Sequence, residues 1–163
     1  MTKAPFLSTA ALGLLLAGPA TAQRAAQPRV SEGYDWAIRI DEGRVPSAIL
    51  AYEVDGTDDQ PLNFTCEEGG NRIFAGISGG DPALRGIVLT SASQTLRLSG
   101  KSEAPEGEMP DFISAEIAGD SPFIRAFAAN GWLRMTASGR TTGMTSTVAG
   151  KQAIKRFVEF CTR

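Results

Sequence analysis

Residues 47–66 read SAILAYEVDGTDDQPLNFTC, and their alternation decides the fold class. Ala48, Leu50, Tyr52 and Val54 alternate with Ser47, Ile49, Ala51 and Glu53. Beyond DGTDDQP, Leu62, Phe64 and Cys66 share one face, and Asn63 and Thr65 the other. Side chains with a period of two lie on opposite faces of a strand, so each run predicts a half-buried β-strand. The interruption between them is rich in Asp, Gly and Pro, which supply turns.

The same pattern extends in both directions. Trp36, Ile38 and Ile40 alternate with Ala37, Arg39 and Asp41. Downstream come Ile73, Ala75 and Ile77, a run around Ile87 to Leu89, then Leu96 and Leu98, then Ile113, Ala115 and Ile117, and finally Leu133, Met135 and Ala137. EEGGN, SGGDP, APEGEMP and ASGRTTG separate these runs as turns. Many short strands at this spacing imply a mainly β fold, an antiparallel β-sandwich or partly closed barrel.

Two stretches break the alternation. DSPFIRAFAANG has Ser121 as N-cap, Pro122 at the first helical position and Asn130-Gly131 as the stop, which predicts a short helix between late strands. Phe123, Ile124, Phe127 and Ala128 share its buried face. In AGKQAIKRFVEFCTR, Ala153, Ile154, Phe157, Val158 and Cys161 form one helical stripe, with Lys151, Lys155, Glu159 and Arg163 off it. A C-terminal helix packed on the sheet follows.

The N-terminus reads MTKAPFLSTAALGLLLAGPATAQ. Lys3, the apolar run from Phe6 to Ala17 and the small residues Ala20 and Ala22 have the order of a signal peptide cleaved after Ala22, leaving Gln23 as the mature N-terminus. The run is shorter than the roughly 20 apolar residues of a membrane-spanning helix, so no membrane span is expected. The organisation is then a signal peptide over 1–22, a flexible lead-in over 23–33 and a single β-rich domain over 34–163. Export gives the two cysteines their meaning. In an oxidising compartment an even count points to a bridge. Cys66 ends the apolar face of a strand and Cys161 the stripe of the last helix, so both face the helix–sheet junction. A Cys66–Cys161 disulfide is the expected state, and two free buried thiols the alternative.

The chain has no histidine, which removes Ser-His and Cys-His nucleophilic systems and histidine-bound metals. Lys151 and Lys155 sit on an exposed helix face and Lys101 in an acidic turn, so none is placed as the base of a Ser-Lys pair. Asp55, Asp58 and Asp59 lack the alternating ligand spacing of a calcium loop. The glycine-rich turns are too short to cradle phosphate. In SEAPEGEMPD, the residues Glu103, Glu106, Glu108 and Asp111 among prolines predict an exposed loop. No metal, no cofactor and no catalytic residue is expected. With 16 basic against 18 acidic residues and no basic run, nucleic acid is excluded as a partner.

AYEVDGTDDQPLNFTCEEGG (51–70), PFIRAFAANGWLRMTASG (122–139) and AGKQAIKRFVEFC (149–161) together form a recognisable layout. It resembles small uncharacterised exported proteins of Gram-negative bacteria. More distantly it is similar to periplasmic accessory proteins associated with type VI secretion, on Tyr52, Thr57 and Asp58 before a Cys-bearing strand, on Leu133 to Gly139, and on a last helix ending in Cys. The resemblance implies a β fold closed by a C-terminal helix and carries no catalytic residue. The expectation is a periplasmic, non-enzymatic binding or accessory protein whose partner is another envelope protein or a cell-wall component. The alternatives are an inhibitor of an enzyme such as a cell-wall hydrolase, and a histidine-independent hydrolase. The turn around Arg140, with Thr141 and Thr142, supplies the candidate binding residues.

Overall fold

The computed structural model describes residues 25–104 and 111–163. The expected signal segment 1–22, Gln23, and Glu106 and Glu108 of the acidic loop lie outside the described residues. The described chain runs β1 (Tyr34–Asp41), β2 (Ser47–Val54), β3 (Leu62–Glu67), β4 (Arg72–Ile77), β5 (Gly86–Ser91) and β6 (Gln94–Glu103). It continues as β7 (Asp111–Ser114), β8 (Ile117–Ala118), α1 (Pro122–Asn130), β9 (Trp132–Ala137), β10 (Arg140–Thr145) and α2 (Val148–Thr162). The strands form one antiparallel sheet in the order β1-β2-β3-β4-β7-β6-β5-β9-β10, with β8 pairing β4. Its end strands, β1 and β10, approach each other without a ladder among the described residues. The sheet is therefore a nearly closed barrel, one of the two architectures that alternation allows. No helix of the described residues is long and apolar enough to cross a membrane.

The inward faces of the strands and the apolar stripes of both helices share one core. Trp36 is at its centre, with ring centroids 5.0 Å from Phe127, 5.2 Å from Tyr52 and 5.9 Å from Phe64. Such aromatic pairs each contribute about 0.5–1.5 kcal/mol beyond the area they bury. Neither Trp36 Nε1 nor the Tyr52 hydroxyl has a hydrogen-bond partner among the described residues, so these rings act by burial and stacking. Helix α1 starts where the Ser121 hydroxyl accepts from the Ile124 N–H and stops at Gly131, whose φ of 75° is left-handed and whose N–H donates to Phe127 O at 2.8 Å. It packs against α2, β5, β6 and β9.

Helix α2 lies along β1 and β2 and is fastened at both ends. At its start, Asp35 of β1 accepts from the Thr147 N–H at 2.9 Å, the Gly150 N–H at 3.1 Å and the Thr147 hydroxyl. These are first-turn donors that have no partner within a helix. At its end, the β3–β4 turn caps the last carbonyls: the Gly69 N–H donates to Phe160 O at 3.0 Å and the Asn71 N–H to Cys161 O at 2.8 Å. Beside them Cys66 and Cys161 stand at bonding distance, Sγ–Sγ 2.03 Å and Cα–Cα 5.8 Å. Both cysteines are buried, as the two apolar faces imply.

Two strands depart from the sequence reading. The expected strand through Ile113, Ala115 and Ile117 is split into β7 and β8, and its first half faces the other way. Phe112 and Ser114 point inward, and Ile113 is 54% exposed. Phe112 turns inward because Gly100 on the neighbouring β6 leaves room for its ring. The Ser114 hydroxyl is satisfied there, accepting from the Ala75 N–H at 2.9 Å and donating to Ala115 O at 2.8 Å. The second departure is that Arg140–Thr145, read as a turn, is strand β10. The turn is Ser138-Gly139 alone, with φ of 46° and 74°, the two positive φ values that suit a two-residue hairpin.

Of the segment read as a flexible lead-in, residues 25–28 lie across the outside of β9 and β10. Ala25 N–H donates to Ala92 O at 3.0 Å, Arg134 Nη2 to Ala26 O at 3.0 Å and the Thr145 hydroxyl to Pro28 O at 3.0 Å. Gly143 makes that approach feasible, because a Cβ there would meet the Pro28 ring.

The Asp35 cap leads to a prediction that runs against helix propensity. Replacing glycine by alanine inside a helix normally stabilises it by about 1 kcal/mol. A methyl group on Gly150, however, would collide with the Asp35 carboxylate. Gly150→Ala should therefore destabilise the protein by about 1–3 kcal/mol, the usual cost of overpacking, in urea unfolding. In an Asp35→Ala background the same change should become neutral or stabilising. A stabilising Gly150→Ala in the otherwise native chain would mean that the carboxylate is not at the helix start.

Candidate functional site

Strand direction gathers one set of ends into a rim. The rim carries the loop before β3, the end of β4 with the loop to β5, and the β9–β10 hairpin. These surround a cavity of about 600 Å³ at the barrel mouth. Pockets of about 300–1,000 Å³ are the usual size of small-molecule sites, and barrel mouths are a common place for them. The floor is apolar: Leu84 and Met135 are buried, and Ile77, Ala137 and Pro61 complete it. The rim is polar, with Ser78, Gly79, Gly80 and Asp81 on one wall and Ser138, Arg140 and Thr142 on the other. Pro61 precedes β3, whereas Cys66 near the other end of that strand joins α2. The mouth and the helix anchor are thus at opposite ends of β3.

Cross-strand register shows which side chains face the cavity. In the β9–β10 pair, Met144 is opposite Leu133, Thr142 opposite Met135 and Arg140 opposite Ala137. Paired residues share a face, and Leu133, Met135 and Met144 are all buried. Arg140 and Thr142 therefore share the face of β10 that carries Met144, but at its exposed hairpin end, by the mouth. Thr141 belongs to the outer face, where its hydroxyl lies 2.8 Å from that of Thr136. All three candidate binding residues line the cavity at its exposed edge, with Arg140 and Thr142 on the Met144 face of the hairpin and Thr141 on the other. None of the four ion pairs among the described residues uses Arg140.

The opposite wall is built by Asp81. Its carboxylate accepts from the Ala83 N–H at 2.8 Å and from the Ser138 hydroxyl at 2.8 Å, which ties the hairpin tip to the β4–β5 loop. The Ala83 N–H first, and Ser138 second, hold this carboxyl below the usual aspartate range. The cation acting on it is Arg85 rather than Arg140. Below the wall, the Gly79 N–H donates to Asp111 Oδ1 at 3.0 Å, fixing the end of β4 to the start of β7. Sequence reasoning found the Arg140 side of the mouth but not Asp81, Leu84 or Met135 as partners in it. SGGDP looked like any other turn, and only the strand order brings it opposite the hairpin.

A second hollow, of about 400 Å³, lies on the outer face of β2 to β4 beside Thr65, Glu67, Arg72 and Phe74. It offers no uncommitted charge of the same kind, because Arg72 is paired with Glu116 at 2.6 Å. Among the described residues no three potential metal-ligating side chains cluster.

The Asp81 tie has a definite pH dependence. A carboxyl whose folded pKa is depressed stabilises the fold fully above its unfolded pKa of about 3.9, and that stabilisation is lost as pH falls through the lower folded value. The Ala83 amide resonance should therefore hold its chemical shift from neutral pH down to about pH 4 and move only below it. Asp81→Asn should abolish that transition. A midpoint above the ordinary aspartate range would contradict the tie.

No family model, no curated protein and no solved structure matches this chain, so the chemistry of the mouth is the ground for its function.

Proposed function

We propose that this chain is an exported, non-enzymatic binding protein of the bacterial cell envelope, working in the periplasm as an accessory to another envelope component. The observation that carries it is Arg140: an exposed guanidinium at the hairpin end of β10, at the rim of a cavity with an apolar floor. The ion pairs of the described residues leave Arg140 unused. Export rests on the order of residues 1–22, and the buried cysteine pair at bonding distance accords with an oxidising compartment.

The non-enzymatic reading rests on the same wall. Asp81 is the one carboxylate among the described residues that line the cavity. Its carboxylate is engaged by two donors, Ala83 N–H and the Ser138 hydroxyl, which favours a structural tie over a free catalytic base. Inhibition of an enzyme would need a projecting tip, whereas Ser138 ties the β9–β10 tip back to Asp81. That tie favours a mouth that receives a group over a loop that enters one.

A photo-crosslinking side chain at position 142, used in intact cells, tests this directly. Crosslinked adducts should form from position 142, be scarce from the outward position 113, and be lost on Arg140→Glu. Adducts from position 113 alone, or adducts indifferent to Arg140, would remove the mouth from the function.

A further inference from the structure

We infer that the barrel mouth binds a small anionic amphiphile, a carboxylate carrying an unbranched apolar chain of medium length. This rests on the mouth being the binding site and names what would occupy it. The floor supplies the apolar half: Leu84 and Met135 are only 7% and 6% exposed, with Ile77 and Ala137 beside them. Deeper, Leu89 and Leu133 are fully buried and fill the barrel. The cavity is therefore closed below its floor, and its volume of about 600 Å³ suits a short or medium chain rather than a long one.

The polar half is asymmetric. Asp81 already holds two donors, from Ala83 and Ser138, whereas the Arg140 fork and the Thr142 hydroxyl beyond it on the same face have donors to offer. A planar carboxylate matches a guanidinium fork, and such charge-assisted contacts are the stronger kind. A cationic head would meet Arg140 in the same mouth. A sugar is a poorer fit, because among the described residues the lining holds no aromatic ring for a saccharide face to stack on.

The test uses the full mature chain with three ten-carbon probes below their micelle concentrations: decanoate, decanol and decyltrimethylammonium. Binding is followed by calorimetry and by the Met135 methyl resonance. Decanoate should shift that resonance and bind about tenfold more tightly than decanol, a difference of about 1.4 kcal/mol, and the ammonium probe more weakly still. Arg140→Gln, checked for an unchanged amide spectrum, should remove the preference for decanoate while leaving decanol affinity as it was. A charge on an end strand can serve simply to deter edge pairing. That role predicts equal decanoate and decanol affinities in both proteins, and this result would overturn the proposal. So would decanoate binding that leaves Met135 unmoved. If no probe binds while position 142 still crosslinks a cellular macromolecule, the amphiphile is wrong and the mouth reading stands. If position 142 also yields nothing, both fall.

Discussion

The fold depends on how its last helix is held. A 15-residue helix is marginal alone in water, and its stability comes from packing an apolar face. Ile154, Phe157, Phe160 and Cys161 supply that face and are buried against the sheet. Packing alone would leave the unpaired amides and carbonyls of both helix ends to water. Here the sheet satisfies them: Asp35 of β1 takes the first-turn donors, and Gly69 and Asn71 of the β3–β4 turn cap the last carbonyls. The Cys66–Cys161 link lies at the second of these junctions. The helix is thus part of the barrel, bridging its first strand to its third and fourth.

This arrangement accounts for a barrel that does not close. Strands β1 and β10 approach without pairing among the described residues. Helix α2 lies along β1, while residues 25–28 lie on the back of β9 and β10. Elements other than strands thus protect both end strands, which limits their use as templates for edge pairing. A polar tie, Ser138 to Asp81, holds the two walls of the mouth cavity together. It adds rigidity where a receiving site needs a fixed geometry.

Most of this architecture was legible where a residue's role is set by its neighbours in sequence. Alternation located the strands around Trp36, Leu50, Phe64 and Ile73. Capping chemistry located α1, and the stripe from Ala153 to Cys161 located α2. The misses are places where a distant residue decides. Phe112 faces inward because Gly100, on another strand, makes room for it. Strand β10 has one apolar residue on its core face, Met144, so its pattern resembles a turn, yet pairing with β9 makes it a strand. The Arg140 side of the candidate site was visible as a Gly- and Thr-rich stretch. Its opposite wall at Asp81 was not, because the sequence does not say which turn faces which.

The central claim is that α2 is held by its ends, above all at the cysteine junction. It is tested most directly by hydrogen exchange on the oxidised and reduced protein, read segment by segment. The two cysteines are 95 residues apart in sequence, and closing a loop on the order of 100 residues is worth at most about 4.7 kcal/mol in the chain-entropy model. Upon reduction, the amides of residues 150–162 should lose protection first and by the largest factor, while those of β2 and β3 keep theirs. Equal protection of that helix in both redox states, or loss of strand protection ahead of it, would contradict the account.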